Sequence, residues 1–145
     1  MNVNWGRAVA AGILGTLVMT AVGLFVAPMM GIPKMNPADM LAMQMGGNVA
    51  LGWAGHLMIG TTLAIIYSLV QSRIPGAPAV RGAIFSLAPW AMAMLVVMPM
   101  MGMPVFGGAA SAAIGSLIGH IAYGVVVGSV YGLNTNVVPR AVATR

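Results

Sequence analysis

Charge is what this sequence has least of. Six basic residues and one acid, Asp39, make up all the formal charge, 5% of a chain of 145 residues. An ordinary soluble domain carries about 25%. A soluble globular fold is therefore excluded, and so is a disordered tail, which needs high charge and few apolar residues. Cysteine is absent. That removes disulfide-stapled scaffolds, thiolate ligands and thiol nucleophiles. One carboxylate cannot make the paired acid and base of most hydrolytic sites. The net charge of +5 rests on side chains scattered along the chain, whereas nucleic-acid binding needs clustered Lys and Arg. What is present instead is 60% apolar residues, 20 glycines and 15 methionines. That is the composition of a polytopic membrane protein.

A helix needs about 20 apolar residues to cross a bilayer. No formal charge lies between Arg7 and Lys34, between Asp39 and Arg73, or between Arg81 and Arg140. The first two stretches predict spans over about 8–30 and about 49–70. The third is too long for one helix, and Gly102, Pro104, Gly107 and Gly108 interrupt it. It predicts two spans, about 82–101 and about 109–133. The first span exceeds the about 7–15 apolar residues of a signal-peptide core, and reads as retained. A closed barrel would need alternating polar positions, which are missing. The expected fold is all-α, a bundle of four transmembrane helices in a single membrane domain. Pro75, Gly76 and Pro78 mark a tight turn between spans two and three. Pro89, inside span three, predicts a kink there.

Four spans place both termini on one side, together with Arg7, Arg73, Arg81, Arg140 and Arg145. The other side holds Lys34, beside Asp39. The positive-inside rule then predicts cytoplasmic termini in the inner membrane of a prokaryote, with the two remaining loops periplasmic. Tyr67 and Tyr131 fall near the cytoplasmic ends of spans two and four, where an interfacial belt is expected.

The sequence also repeats itself. Pro28-Met29-Met30-Gly31-Ile32-Pro33 returns in the second half of the chain as Pro99-Met100-Met101-Gly102-Met103-Pro104. Gly55-His56, followed by Gly60 and Tyr67, returns at a slightly shorter offset as Gly119-His120, Gly124 and Tyr131. The order predicts two duplicated helical hairpins, with halves of about 1–72 and 73–145, related by an axis along the membrane normal. This hairpin repeat, G-H-x3-G-x6-Y above all, resembles a family of small uncharacterised prokaryotic four-helix membrane proteins. The resemblance covers nearly the whole chain and implies the fold and orientation, but no activity.

His56 and His120 are the titratable groups well inside the spans, and intramembrane ionisable residues mark a functional site by default. Residues four apart share a helix face. Gly52, His56, Gly60, Ala64 and Ser68 form one such row; Ser116, His120, Gly124, Gly128 and Gly132 form the other. Three uses of these rows compete. The small residues allow close helix packing, with a histidine bonding across the interface. They also leave room for a b-type haem on His56 and His120, with Gly52, Gly60, Gly124 and Gly128 as the groove. Copper, with methionine partners, is the third.

Ten methionines cluster towards the periplasmic side, and thioethers suit Cu(I). Met29, Met30, Met100 and Met101, in the repeated motif, are the copper candidates. The competing use is flexible apolar filling, with Met40, Leu41, Met43 and Met45 on one face of a short interfacial helix. Asn36, Pro37 and Asp39 read as its N-cap, first position and first turn. With no carboxylate in the spans, proton-coupled transport is disfavoured. The sequence thus leads to a non-enzymatic accessory or structural subunit of a larger membrane complex, partnered by another membrane protein or by its own copies. A haem-bearing electron-transfer protein is second and a copper-binding protein third.

Overall fold

The computed structural model describes residues 3–132. Arg140 and Arg145, used above for orientation, and Leu133, the expected end of span four, lie outside the described residues. The chain forms α1 (Trp5–Met29), α2 (Pro37–Gln44), α3 (Val49–Arg73), α4 (Pro78–Met100) and α5 (Ala110–Gly132). All but α2 are long and apolar enough to cross a membrane. No strand occurs among the described residues. The fold is the all-helical four-span bundle that the charge gaps predict.

Polar caps set the helix starts. Asn4 Oδ1 accepts from the Arg7 N–H at 3.0 Å, and Asn48 Oδ1 from the Leu51 N–H at 3.1 Å. Asn36 accepts from the Ala38 N–H at 3.1 Å, with Pro37 as the first residue of α2 and Asp39 in its first turn. Each cap satisfies a backbone donor that a helix start leaves free. α4 begins at Pro78, a turn earlier than the charge pattern suggests, because proline suits the first helical position and Ala77 is extended. Arg81 therefore lies in the helix, where its Nη1 donates to Gln71 Oε1 at 3.2 Å.

Both α1 and α4 widen into a π turn, at Val22–Val26 and Ala93–Val97. The two turns are separated along the chain by the same offset as the P-M-M-G-x-P repeat. The proline of that motif supplies the cause. Its ring clashes with the carbonyl four residues back in an α-helix, and those carbonyls, on Leu24 and Leu95, lie within the widened turns. In α4 the departure from α geometry thus comes just before Pro99, where a kink was expected at Pro89. The motif also ends each helix in the same way. Gly31 and Gly102 take positive φ, and the next residue donates back to Ala27 or Met98 at 3.1 and 3.0 Å. That is a Schellman stop, which favours glycine at this position.

Packing is through small residues. Gly12 of α1 lies against Gly60, Thr61 and Ala64 of α3. Gly82 of α4 lies against Gly124 and Gly128 of α5, backbone on backbone. Gly15 of α1 receives Tyr123 and Val127 of α5. The spans therefore follow each other around the bundle as α3, α1, α5, α4. The fourth side, between α3 and α4, closes at the end of the bundle that holds Trp5 and Gly132. There Tyr67 packs edge-on against Phe85 at 5.4 Å and donates to the Pro78 carbonyl at 3.3 Å. Tyr67 is 1% exposed, so it is a core residue and not the interfacial one expected. Its partner is the turn that Pro75 and Pro78 create, which brings α3 and α4 together at that level.

Tyr123 carries a buried tertiary bond, its hydroxyl donating to the Gly60 carbonyl at 2.6 Å. Removing it in Tyr123→Phe is expected to cost about 1 kcal/mol, the net value of one such bond. Denaturant titration in detergent micelles measures it.

Candidate functional site

Beyond Tyr67 the α3–α4 side opens into a cavity of about 230 Å3 at the Met-rich end of the bundle. α3 supplies His56, Ile59, Gly60 and Leu63. α4 supplies Pro89, Met92, Met94, Met98 and part of the widened turn, and Met101, just past its end, continues the wall. α1 and α5 form the floor through Thr16, Met19, Ser116, His120 and Tyr123. Met35, Pro37, Met40 and Leu41 close one end.

α2 is held over this end by its small face. Ala38 and Ala42 are buried against Gly52 of α3. The Met35 N–H donates to the Gly23 carbonyl in the π turn of α1 at 3.1 Å. The methionines of α2 do not share one face, as expected from sequence. Met40 and Leu41 line the cavity, whereas Met43 is exposed. The buried face belongs to the alanines because only small side chains let α2 approach the α3 backbone.

The two histidines meet at this cavity, one from α3 and one from α5. Both are buried, at 6% and 9% exposure. His56 Nε2 lies 3.1 Å from Thr20 Oγ1, which itself donates to the Thr16 carbonyl at 2.9 Å. The hydroxyl has one proton, so the histidine nitrogen carries the other and donates to Thr20. That assignment leaves His56 Nδ1 as a lone pair. His120 Nδ1 lies 2.8 Å from the Ser116 carbonyl, which only accepts. This nitrogen is therefore the protonated one, and Nε2 carries the lone pair. Sequence reasoning missed the threonines and Tyr123. Thr16 and Thr20 stand four apart on α1 and both bond back to helix carbonyls, a spacing visible in the sequence but not its partner across the interface.

The glycine rows have a different fate from the histidines. Gly52 faces α2, Gly60 faces Thr16 of α1, and Gly124 and Gly128 face α4. The groove expected beside the histidines is thus covered by neighbouring helices, and of the four only Gly60 also borders the cavity. The methionine candidates divide too. Met29 and Met100 are 87% and 81% exposed, and Met30 also points outward. They sit in the last turn before the helix stop, facing away from the bundle. Met101 lines the cavity. Among the described residues no group of three or more His, Cys, Asp or Glu side chains is placed to hold a metal ion.

These features define a small four-span helical membrane protein with an apolar, histidine-bearing cavity open on one side. The chain belongs to DUF6789, a family of unknown function, whose model matches residues 3–141. No curated protein and no solved structure matches it significantly.

Proposed function

We propose that this is a non-enzymatic integral membrane protein that holds a small guest in the α3–α4 cavity, as an accessory to a larger membrane assembly. The observation that carries this is the convergence of His56 and His120, from two different helices, on one cavity. A ligand pocket is apolar with a few convergent polar groups, and this lining has that character. The side chains in the spans that carry hydrogen bonds use them to join helices or to cap carbonyls, which suits binding better than turnover.

We also infer that the chain is two duplicated helical hairpins. Equal π turns and equal Schellman stops, each pair set apart by the offset of the repeated motif, support it. Under that reading α1 with α5 and α4 with α3 are equivalent pairs, one closed and one open. The opening is then a departure from symmetry, placed where the histidines are.

Native mass spectrometry of protein purified in mild detergent tests the guest. A guest mass is expected on the wild type and not on Ala93→Phe, whose ring fills the cavity. A wild type without any guest would count against the reading. Co-purification of a membrane protein with the wild type tests the accessory role.

A b-type haem on the same two histidines is the alternative, favoured by their shared cavity. Its volume of about 230 Å3 is below the about 300–1,000 Å3 usual for ligand pockets, and the glycine rows are already covered. The purified protein is therefore expected to show no Soret band in its absorption spectrum, oxidised or reduced.

We also propose that both termini face the cytoplasm, from Arg7, Arg73 and Arg81 at one end. The chain has no cysteine, so single cysteines report orientation cleanly. In intact cells a membrane-impermeant maleimide is expected to label Met43→Cys and to leave Ser72→Cys untouched until the cells are lysed. The reverse pattern would invert the topology.

A further inference from the structure

We propose that the α3–α4 cavity is a site for a soft monovalent metal cation, Cu(I), held by His56 Nδ1, His120 Nε2 and thioethers of α4. The inference rests on the guest-binding reading and names the guest.

The protons at the cavity wall are almost all in use. Thr16 donates its hydroxyl proton to the Gly12 carbonyl at 2.7 Å, and Tyr123 donates to Gly60 at 2.6 Å. His56 and His120 use their N–H groups on Thr20 and on the Ser116 carbonyl. Ser116 Oγ stands 3.4 Å from His120 Nδ1, turned to its own helix. What the wall has left is two imidazole lone pairs, the sulfur lone pairs and the one hydroxyl of Ser116. A wall this rich in lone pairs and this poor in donors suits a cation better than a ligand that must accept hydrogen bonds.

The remaining ligand atoms select the kind of cation. Seven of the twenty lining residues are methionine, against 15 in 145 for the chain. Thioether sulfur is a soft ligand that selects Cu(I) over hard or borderline ions. No carboxylate lines the cavity, so the charge of the ion is not neutralised. Burial cost grows with the square of the charge, so a monovalent ion pays about a quarter of the Born cost of a divalent one. Zn(II) and Cu(II) are disfavoured on both counts.

His120 has a ring nitrogen to spare. It is nine-tenths buried, and its Nε2 makes no hydrogen bond among the described residues. Among the described residues the one buried side-chain nitrogen or oxygen without a partner is Arg81 Nε, so the His120 Nε2 lone pair is not sealed off but accessible, as a metal ligand must be. Met94 and Met98 of α4, which are buried, and Met101 just past its end are thioethers at the same cavity. These differ from the exposed Met29, Met30 and Met100 of the repeated motif.

The test is anaerobic titration of the detergent-solubilised protein with Cu(I), against bicinchoninate as competitor. The wild type is expected to retain one equivalent after desalting, and Zn(II) none. His120→Asn keeps a donor for the Ser116 carbonyl but loses the ring nitrogen, and is expected to weaken retention by about tenfold or more. The triple variant Met94→Leu/Met98→Leu/Met101→Leu conserves volume, so it is expected to fold yet to bind at least about tenfold more weakly. X-ray absorption of the loaded wild type should show both nitrogen and sulfur neighbours. The proposal is overturned if folded wild type retains no Cu(I), if both variants retain it unchanged, or if Zn(II) is held equally. A different guest mass on the wild type, lost in Ala93→Phe, with no Cu(I) retained, would sink the metal and leave the guest reading standing. No guest of any kind would sink both.

Discussion

Gly124→Ala is expected to destabilise the bundle by about 3 kcal/mol, the upper end for overpacking, while Gly55→Ala leaves it unchanged or slightly more stable. Both residues belong to the same G-H-x3-G pattern, on different helices. A methyl at Gly124 would meet the Gly82 carbonyl and Ser86 Cβ of α4. The obstacle is mainly backbone, which no rotamer change can move aside, so α4 must retreat from α5 along the whole contact. Membrane helices have no hydrophobic drive to hold them together and depend on this close fit. At Gly55 the nearest atoms to a new methyl are Met45 Cε at 3.5 Å and Leu41 Cδ1 at 3.7 Å, ordinary contact with flexible side chains. The gain in helix propensity there is up to about 1 kcal/mol. Denaturant titration in micelles separates the two outcomes. Gly82→Ala is expected to behave like Gly124→Ala, and the double variant to cost less than the sum, because both act on one interface. Equal stability of Gly124→Ala and Gly55→Ala would mean that α4 and α5 do not meet here.

Gly52→Ala is expected to release α2 without dissolving the four spans. A methyl on Gly52 would overlap the Ala38 carbonyl and crowd Ala42. These contacts hold the covering helix, and α1, α4 and α5 do not depend on them. Local opening of this kind is a sub-global event. A cost of about 3 kcal/mol, confined to that contact, raises amide exchange in Pro37–Gln44 by about 100-fold. Exchange in the interiors of α1 and α5 should stay as in the wild type. The cavity loses Met40 and Leu41 from its end at the same time, so guest release should quicken. Exchange that rises everywhere would show that α2 is part of the core and not a cover.

Much of this was legible because the bilayer imposes a simple code. The charge gaps locate the spans, since charged side chains are costly in lipid wherever the helix sits. Asn36, Pro37 and Asp39 announce α2, since capping is a local interaction that needs no knowledge of the rest of the chain. The Pro28 and Pro99 motifs announce helix ends for the same reason. His56 and His120 stand out because almost nothing else in the spans ionises.

Composition and local spacing are therefore enough for the all-helical membrane class, the number of spans, their caps and the two histidines. Which residue faces which neighbour emerges only when the helices pack. The glycine rows belong to helix contacts, Tyr67 to the core, and Met29 and Met100 to the outer surface. The cavity instead recruits Met94, Met98 and Met101, with Thr20 and Ser116 fixing which imidazole nitrogen is free. Small residues and methionines are equally apolar on every side of a membrane helix. Hydropathy cannot tell a lipid-facing position from a buried one there, and the fit between helices makes that choice.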